Sequence, residues 1–299
     1  MNGLKQNLDR KRTVIEDTYL EFINNARAAE VIGVSEIIDL MKMMQQYEMD
    51  CHVVITGQNG LGKSIVLLAT LKEYLGAKWF DNLILARNTT DDIVQFILHN
   101  NNTICGIDEW NQYLNYAQHA DSDQKHFITT LELARSKSLG FIGCARDPRK
   151  LTLNYRDGKM SVVIWTMDRF VDGGSYAAVF VTNPVVESYD KFGFEMIPGD
   201  IVDFDELRYT FENLPSFVCY LNMDNAAKHL TKKELAHYKK EKDIAMAHAH
   251  MNHLVGKYKK KKIDYDELVE ELDKLRDLIP EDVINKAIPT KQTKMRRYM

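Results

Sequence analysis

Between residues 52 and 182, short apolar runs rich in β-branched residues alternate with longer stretches whose apolar positions recur at helical spacing. The pattern predicts strands at 52–56, near 82–86, and at 103–107, 141–144, 161–166 and 176–181. It predicts helices at 63–75, near 90–99 (opened by Thr89-Thr90-Asp91-Asp92) and near 121–137. Strands separated by helical segments indicate an α/β core with a mostly parallel sheet flanked by helices. Ahead of it, residues 1–50 are polar and helix-prone. They end in SEIIDLMKMMQQYEMD, where Ser35 is a candidate N-cap and Ile38, Leu40, Met41, Met44 and Tyr47 form an apolar face. Past EMIPGDIV the alternation weakens, and a helical appendage with partitioned charge follows. The expected division is a helical segment at 1–50, an α/β domain at 51–215 and a helical C-terminal region at 216–299.

A chain of 299 residues is long enough for one full α/β core and a smaller module. Its net charge of −4 argues against a uniformly basic coat, so basic regions have to be sought block by block. Cys51, Cys105, Cys144 and Cys219 are widely spaced without metal-ligand pairing, which predicts reduced core thiols. No apolar run approaches the ~20 residues needed to cross a bilayer, and the first residues lack the apolar stretch of a secretory signal. The expectation is a cytoplasmic protein with no membrane partner.

The stretch GQNGLGKSI, Gly57 to Ile65, lies between the first core strand and the first core helix. Gly57-x-x-x-x-Gly62-Lys63-Ser64 satisfies the P-loop pattern in its required strand–loop–helix context. Glycines let the backbone curl at positive φ, so that successive N–H groups of Gly57, Gln58, Asn59, Gly60, Leu61 and Gly62 can turn toward a phosphate. Lys63 would reach the β- and γ-phosphates of ATP, and Ser64 would offer its hydroxyl to Mg²⁺.

Residues 103–109, TICGIDE, form an apolar strand ending in two carboxylates. Asp108 is placed to join Ser64 in the Mg²⁺ shell, and Glu109 to polarise a water for attack on the γ-phosphate. The alternative is a helix-capping pair after a buried strand. With both carboxylates acting, hydrolysis is favoured over transfer to a second substrate.

With these two motifs the chain resembles the additional-strand, catalytic-glutamate class of P-loop ATPases. Within it the resemblance is to the DNA-pumping group that includes viral genome-packaging ATPases and FtsK-like and HerA-like translocases; it covers roughly residues 50–185. The resemblance implies that the strand Phe141 to Cys144 lies between the phosphate-loop strand and the Asp-Glu strand. The stretch 132–165 resembles the packaging and translocase layout, but its strand tip reads Ala145-Arg146-Asp147 where those motors commonly carry Gln or Asn. Ring ATPases of this class also need a cation supplied in trans. Arg146 is the first candidate, then Arg135, with Arg149 and Arg156 nearby. For any one of them an ordinary surface ion pair is the alternative.

Trp110, Tyr113 and Tyr116 interleave with amides after the Asp-Glu pair, fitting either a helix packed on the sheet or a pore loop brushing nucleic acid. Lys137, Arg149 and Lys150 are possible phosphate contacts. Residues 228–262 hold eleven Lys against three Asp or Glu and five of the nine His. This block is either a solvated helical face or a source of nonspecific affinity for a phosphate backbone. His248, His250 and His253, with no Cys nearby, fit a solvated helix better than a metal cluster. The following segment, 264–282, is acidic and amphipathic, with Leu268, Leu272, Leu275 and Leu278 on neighbouring turns, and it could neutralise the block.

The leading expectation is therefore a Mg²⁺-dependent ATPase that moves DNA, duplex for preference, as a homo-oligomeric ring. The resemblance points to a viral genome-packaging motor working in host cytoplasm and docked on a protein such as a portal. Alternatives are an AAA-like loader or assembly factor acting on a protein partner, and a small-molecule kinase.

Overall fold

A computed structural model describes residues 2–86, 88–114, 122–169, 174–182, 192–194, 197 and 204–288, with the side chains of 2–12, 14, 15, 122–126, 168, 169 and 204 outside the description. Two compact units emerge: residues 1–84 with 90–231, and residues 85–89 with 232–299.

The first unit contains an eight-stranded sheet. In chain order its strands are β1 (Val31–Ile32), β2 (Cys51–Gly57), β3 (Leu83–Ile84), β4 (Ile104–Ile107), β5 (Gly140–Cys144), β6 (Val162–Arg169), β7 (Ser175–Val181) and β8 (Phe217–Asn222). Their spatial order is β1-β8-β7-β6-β2-β5-β4-β3. The run β6-β2-β5-β4-β3 is parallel throughout, and β7 is antiparallel to both β6 and β8. The α/β class and the mostly parallel sheet expected from the alternation are thus present. β5 lies between β2 and β4, pairing Val53 with Ile142 on one side and Gly106 with Ile142 on the other.

Every residue of β2 is buried, because helices cover both faces and leave no solvent side for polar positions to occupy. The helices of this unit are α1 (Asn2–Ala29), α2 (Val34–Gln46), α3 (Lys63–Leu75), α4 (Thr90–His99), α5 (Ser122–Ser136), α6 (Leu153–Gly158), α7 (Phe204–Glu212) and α8 (Met223–Lys228). On α2, Ile37, Leu40, Met41 and Met44 are all buried, so these methionines are core, as their spacing indicates. Full burial of such a side chain stabilises by about 1.5–3 kcal/mol relative to exposure. Cys51, Cys105, Cys144 and Cys219 are likewise buried and free.

Three local expectations differ from the structure. α2 starts after Gly33, not at Ser35; the Glu36 carboxylate accepts from both Gly33 N–H and the Ser35 hydroxyl, which draws Ser35 inside the first turn. The strand near 82–86 is only Leu83–Ile84, because Leu85 N–H and C=O both bond to Asn88 and turn the chain. β8 comes from the segment expected to be helical, and the first unit runs to Thr231. Its apolar run, Phe217-Val218-Cys219-Tyr220-Leu221, is strand-like, but β8 gains its place only by pairing with β7 and β1, both distant in sequence.

The second unit holds α9 (Lys232–Lys259), α10 (Tyr265–Asp273) and α11 (Glu281–Ala287) around a small core of Ala247, Met251, Leu254, Leu268, Leu272, Ile279 and Ile284. Leu268 and Leu272 are buried and Leu275 packs against their core, but Leu278, beyond the end of the helix at Asp273, is 42% exposed. Among the described residues, no helix is long and apolar enough to cross a membrane.

Candidate nucleotide-binding site

Parallel α/β sheets bind ligands outside the carboxyl ends of their strands. β2 runs out at Gly57, and α3 begins at Lys63, so the loop between them occupies that edge. Gly57, Gly60 and Gly62 have φ of 127°, 87° and 83°, a region that L side chains rarely enter. Two of the three are also hemmed in. A Cβ on Gly57 would lie 2.5 Å from the Thr166 carbonyl oxygen, and one on Gly62 would lie 2.6 Å from the Met223 methyl. Backbone angle therefore favours glycine at all three positions, and at Gly57 the backbone of β6 also leaves no room for a side chain.

Lys63 folds back over the loop. Its Nζ donates to the carbonyls of Gly57 at 2.7 Å and Gln58 at 2.8 Å, which gathers the cation where phosphates would lie. Gln58, Asn59 and Gly60 are exposed, and Leu61, Gly62, Ser64 and Ile65 are half-buried. The start of α3 adds the positive end of its dipole to the same place.

Strand order brings the second motif to this edge. Asp108 follows β4, is 3% exposed, and is seated by its N–H on the Ile84 carbonyl at 3.0 Å. The Ser64 hydroxyl donates to Asp108 Oδ1 at 3.4 Å. One hydroxyl and one carboxylate oxygen at that spacing suit a hard divalent cation, which takes oxygen ligands and completes its octahedron with waters and phosphates. Glu109, half-buried, follows directly.

Arg146 also reaches this edge. It follows β5, and its backbone is bound on both sides: N–H to Asn111 Oδ1 at 2.8 Å, C=O to the Thr56 hydroxyl at 3.2 Å. The structure does not bring Arg135 there. Its guanidinium donates to the Glu48 carbonyl, ahead of β2 and so at the opposite end of the strand from the loop. Arg149 makes a two-pronged pair with Asp147 (3.0 and 3.2 Å), and Arg156 pairs with Asp157 at 3.0 Å. Lys137 donates to the Leu98 carbonyl, while Lys150 is exposed. Trp110 and Tyr113 are buried, the packing alternative for the aromatic stretch; Tyr116 lies outside the described residues.

No model of a known protein family matches the chain, and no curated protein matches it. Among solved structures, it is similar to the N-terminal domain of zonular occludens toxin from Neisseria meningitidis. That likeness has a TM-score of 0.37 and 13% identity, covering 50% of this chain and 89% of that one. The P-loop-like character of the fold rests on this chain's own loop and strand order.

Reasoning from sequence missed four residues at this edge: Thr56, Asn111, Thr166 and Met223. Thr56 and Asn111 adjoin the two motifs and were within reach of a neighbour search. Thr166, whose hydroxyl donates to the Thr56 carbonyl at 2.9 Å, and Met223 are more than a hundred residues away from the loop, and nothing local marks them.

Proposed function

We propose that this chain binds ATP with Mg²⁺ and hydrolyses it. The observation that carries the proposal is the 3.4 Å contact between Ser64 and Asp108, which joins the two motifs across 44 residues at the carboxyl edge of the sheet. Lys63 and the loop amides hold the phosphates, and Ser64 and Asp108 hold Mg²⁺, whose charge offsets that of the β- and γ-phosphates. Glu109 accepts a proton from water as the water oxygen bonds to the γ-phosphorus. The bond from γ-phosphorus to the β–γ bridging oxygen breaks, releasing ADP and phosphate.

The finer reading couples this hydrolysis to movement of duplex DNA through a homo-oligomeric ring, as in a viral genome-packaging motor. Two features support it: the resemblance across 132–165, and the basic turn of the second unit. There Lys259, Lys260, Lys261 and Lys262 are all exposed and make no ion pair among the described residues. The adjoining acids pair elsewhere, Glu270 and Glu271 with Lys274, and Asp273 and Glu281 with Arg276.

The test is steady-state ATP hydrolysis with no DNA, single-stranded DNA or duplex DNA. Glu109→Gln should lower turnover by about 10²–10³-fold while nucleotide binding persists. Absence of Mg²⁺-dependent hydrolysis in the wild-type protein would overturn the ATPase reading. Hydrolysis indifferent to any DNA would overturn the motor reading alone and turn attention to a protein partner switched by ATP.

A further inference from the structure

The tip of β5 is held more tightly than a strand end requires. Ala145 N–H continues the ladder to the Ile55 carbonyl at 2.8 Å. One residue on, Arg146 C=O accepts from the hydroxyl of Thr56, which immediately precedes the phosphate loop, at 3.2 Å. Arg146 N–H donates to the side-chain oxygen of Asn111, two residues beyond Glu109, at 2.8 Å. The backbone of one residue is thereby clamped between the segments that carry the two motifs. Its side chain is exposed, and it makes no ion pair among the described residues. The nearby arginines are committed otherwise, Arg149 and Arg156 to carboxylates, which leaves Arg146 and the exposed Lys150 as the cations between β5 and β6 without an ion pair among the described residues.

The chemistry of the clamp is selective. An aspartate at 111 would accept the same hydrogen bond but add a third carboxylate beside Asp108 and Glu109, where like charges oppose ionisation. The neutral amide makes the bond without that charge. Asn111 itself rides on a short 3₁₀ turn, Trp110–Gln112, anchored by Trp110, which is fully buried and lies over Gly143 of β5.

We infer that Asn111 is a positioning residue, which with Thr56 holds Arg146 so that its guanidinium meets the terminal phosphate of the nucleotide bound in the same chain. This rests on the proposed ATP site and assigns the cation that site needs. Arg146 stabilises negative charge on the γ-phosphoryl oxygens and on the departing ADP as water attacks. Asn111 touches neither reactant and acts through the Arg146 backbone.

The experiment is a kinetic double-mutant cycle on the full chain. Asn111→Ala should lower kcat by about 10-fold or more, with KM and nucleotide affinity changed by no more than about threefold. Arg146→Ala should lower kcat at least as far, and Asn111→Ala should add nothing further in that background, because there is no guanidinium left to aim. Effects that multiply, or an Asn111→Ala enzyme with wild-type kcat, would overturn the inference. Should Asn111→Ala fail to fold, Thr56→Val breaks the other side of the clamp and carries the same test. An equal mixture of Arg146→Ala and Glu109→Gln chains should stay inactive; recovered turnover would mean that Arg146 serves a neighbouring chain and would overturn the same-chain assignment. A wild-type protein that hydrolyses ATP and loses this with Glu109→Gln, yet is indifferent to Asn111→Ala, fails the inference alone. A wild-type protein with no hydrolysis fails the underlying site as well.

Discussion

At the carboxyl edge of the sheet, the hydrogen bonds that matter cross 35 to 110 residues of chain: Asn111 to Arg146, Ser64 to Asp108, Thr56 to Arg146, Thr166 to Thr56. Along residues 270–286 the ion pairs join side chains three to five residues apart and sit at the surface. The first kind exists only in the folded state, and its members run from the buried Thr166–Thr56 bond to the exposed one between Arg146 and Asn111. The second kind is local in the chain, is screened by salt, and contributes little to stability. The two regions should accordingly respond in opposite ways to the same disturbance.

Glycine substitution is the sharpest way to break this contrast. Gly57→Ala forces a side chain onto a φ of 127° and against the backbone oxygen of Thr166, which cannot swing aside. It should cost about 3 kcal/mol or more and abolish nucleotide binding, read by denaturant unfolding and by titration with a fluorescent ATP analogue. Gly256, inside α9, has open space where a Cβ would stand. Gly256→Ala should instead stabilise by about 1 kcal/mol, third in size among the effects expected here.

Second in size is a pH effect confined to the sheet. His52, in β2, is 1% exposed, stacks on Phe141 and has Nδ1 3.3 Å from the Tyr155 hydroxyl. Burial pushes its imidazole down to about 4, with Asp50 opposing and Lys159 reinforcing the shift. The unfolded chain takes up this proton near 6.5, so its contribution is complete above that pH and is lost as the pH falls toward 4. Unfolding at pH 7 and pH 5 should differ by about 2 kcal/mol more in the wild type than in His52→Phe, the comparison cancelling the carboxylates common to both. An equal pH dependence in the two proteins would contradict the buried neutral imidazole.

The smallest effect on stability belongs to the basic turn. Replacing Lys259, Lys260 and Lys262 by Gln should change stability by no more than about 0.5 kcal/mol. If the turn contacts a phosphate backbone, each replacement should lower the slope of log affinity against log salt by about one, measured by anisotropy with labelled duplex DNA. An unchanged slope would leave this turn a solvated helix end.

Much of the site was legible before the fold was known, for identifiable reasons. A phosphate loop needs φ above zero at set positions, and only glycine supplies it cheaply, so Gly57, Gly60 and Gly62 stand out. β2 and β4 are buried along their whole length and read as largely apolar runs, His52 and Thr56 being the polar exceptions in β2. Arg135 and Arg146 looked alike in the sequence, one at a helix end and one at a strand tip. The sheet separates them: one bonds to Glu48 ahead of β2, the other to Thr56 at its carboxyl end. The short β1 and the late β8 were illegible because neither is held by its own pattern; their pairing partners are each other and β7.

The sequence by itself determined the glycine-rich loop at 57–62, the Asp108-Glu109 strand end and the α/β alternation, because backbone angle and burial are requirements that each residue meets locally. Only the tertiary structure decided which of the two arginines stands at the loop's edge and that Asn111 and Thr56 hold the Arg146 backbone there; the place of β5 between β2 and β4 agrees with what the resemblance implied. Those relations depend on hydrogen bonds between groups brought together by strand order, and no local pattern carries a record of its distant partner.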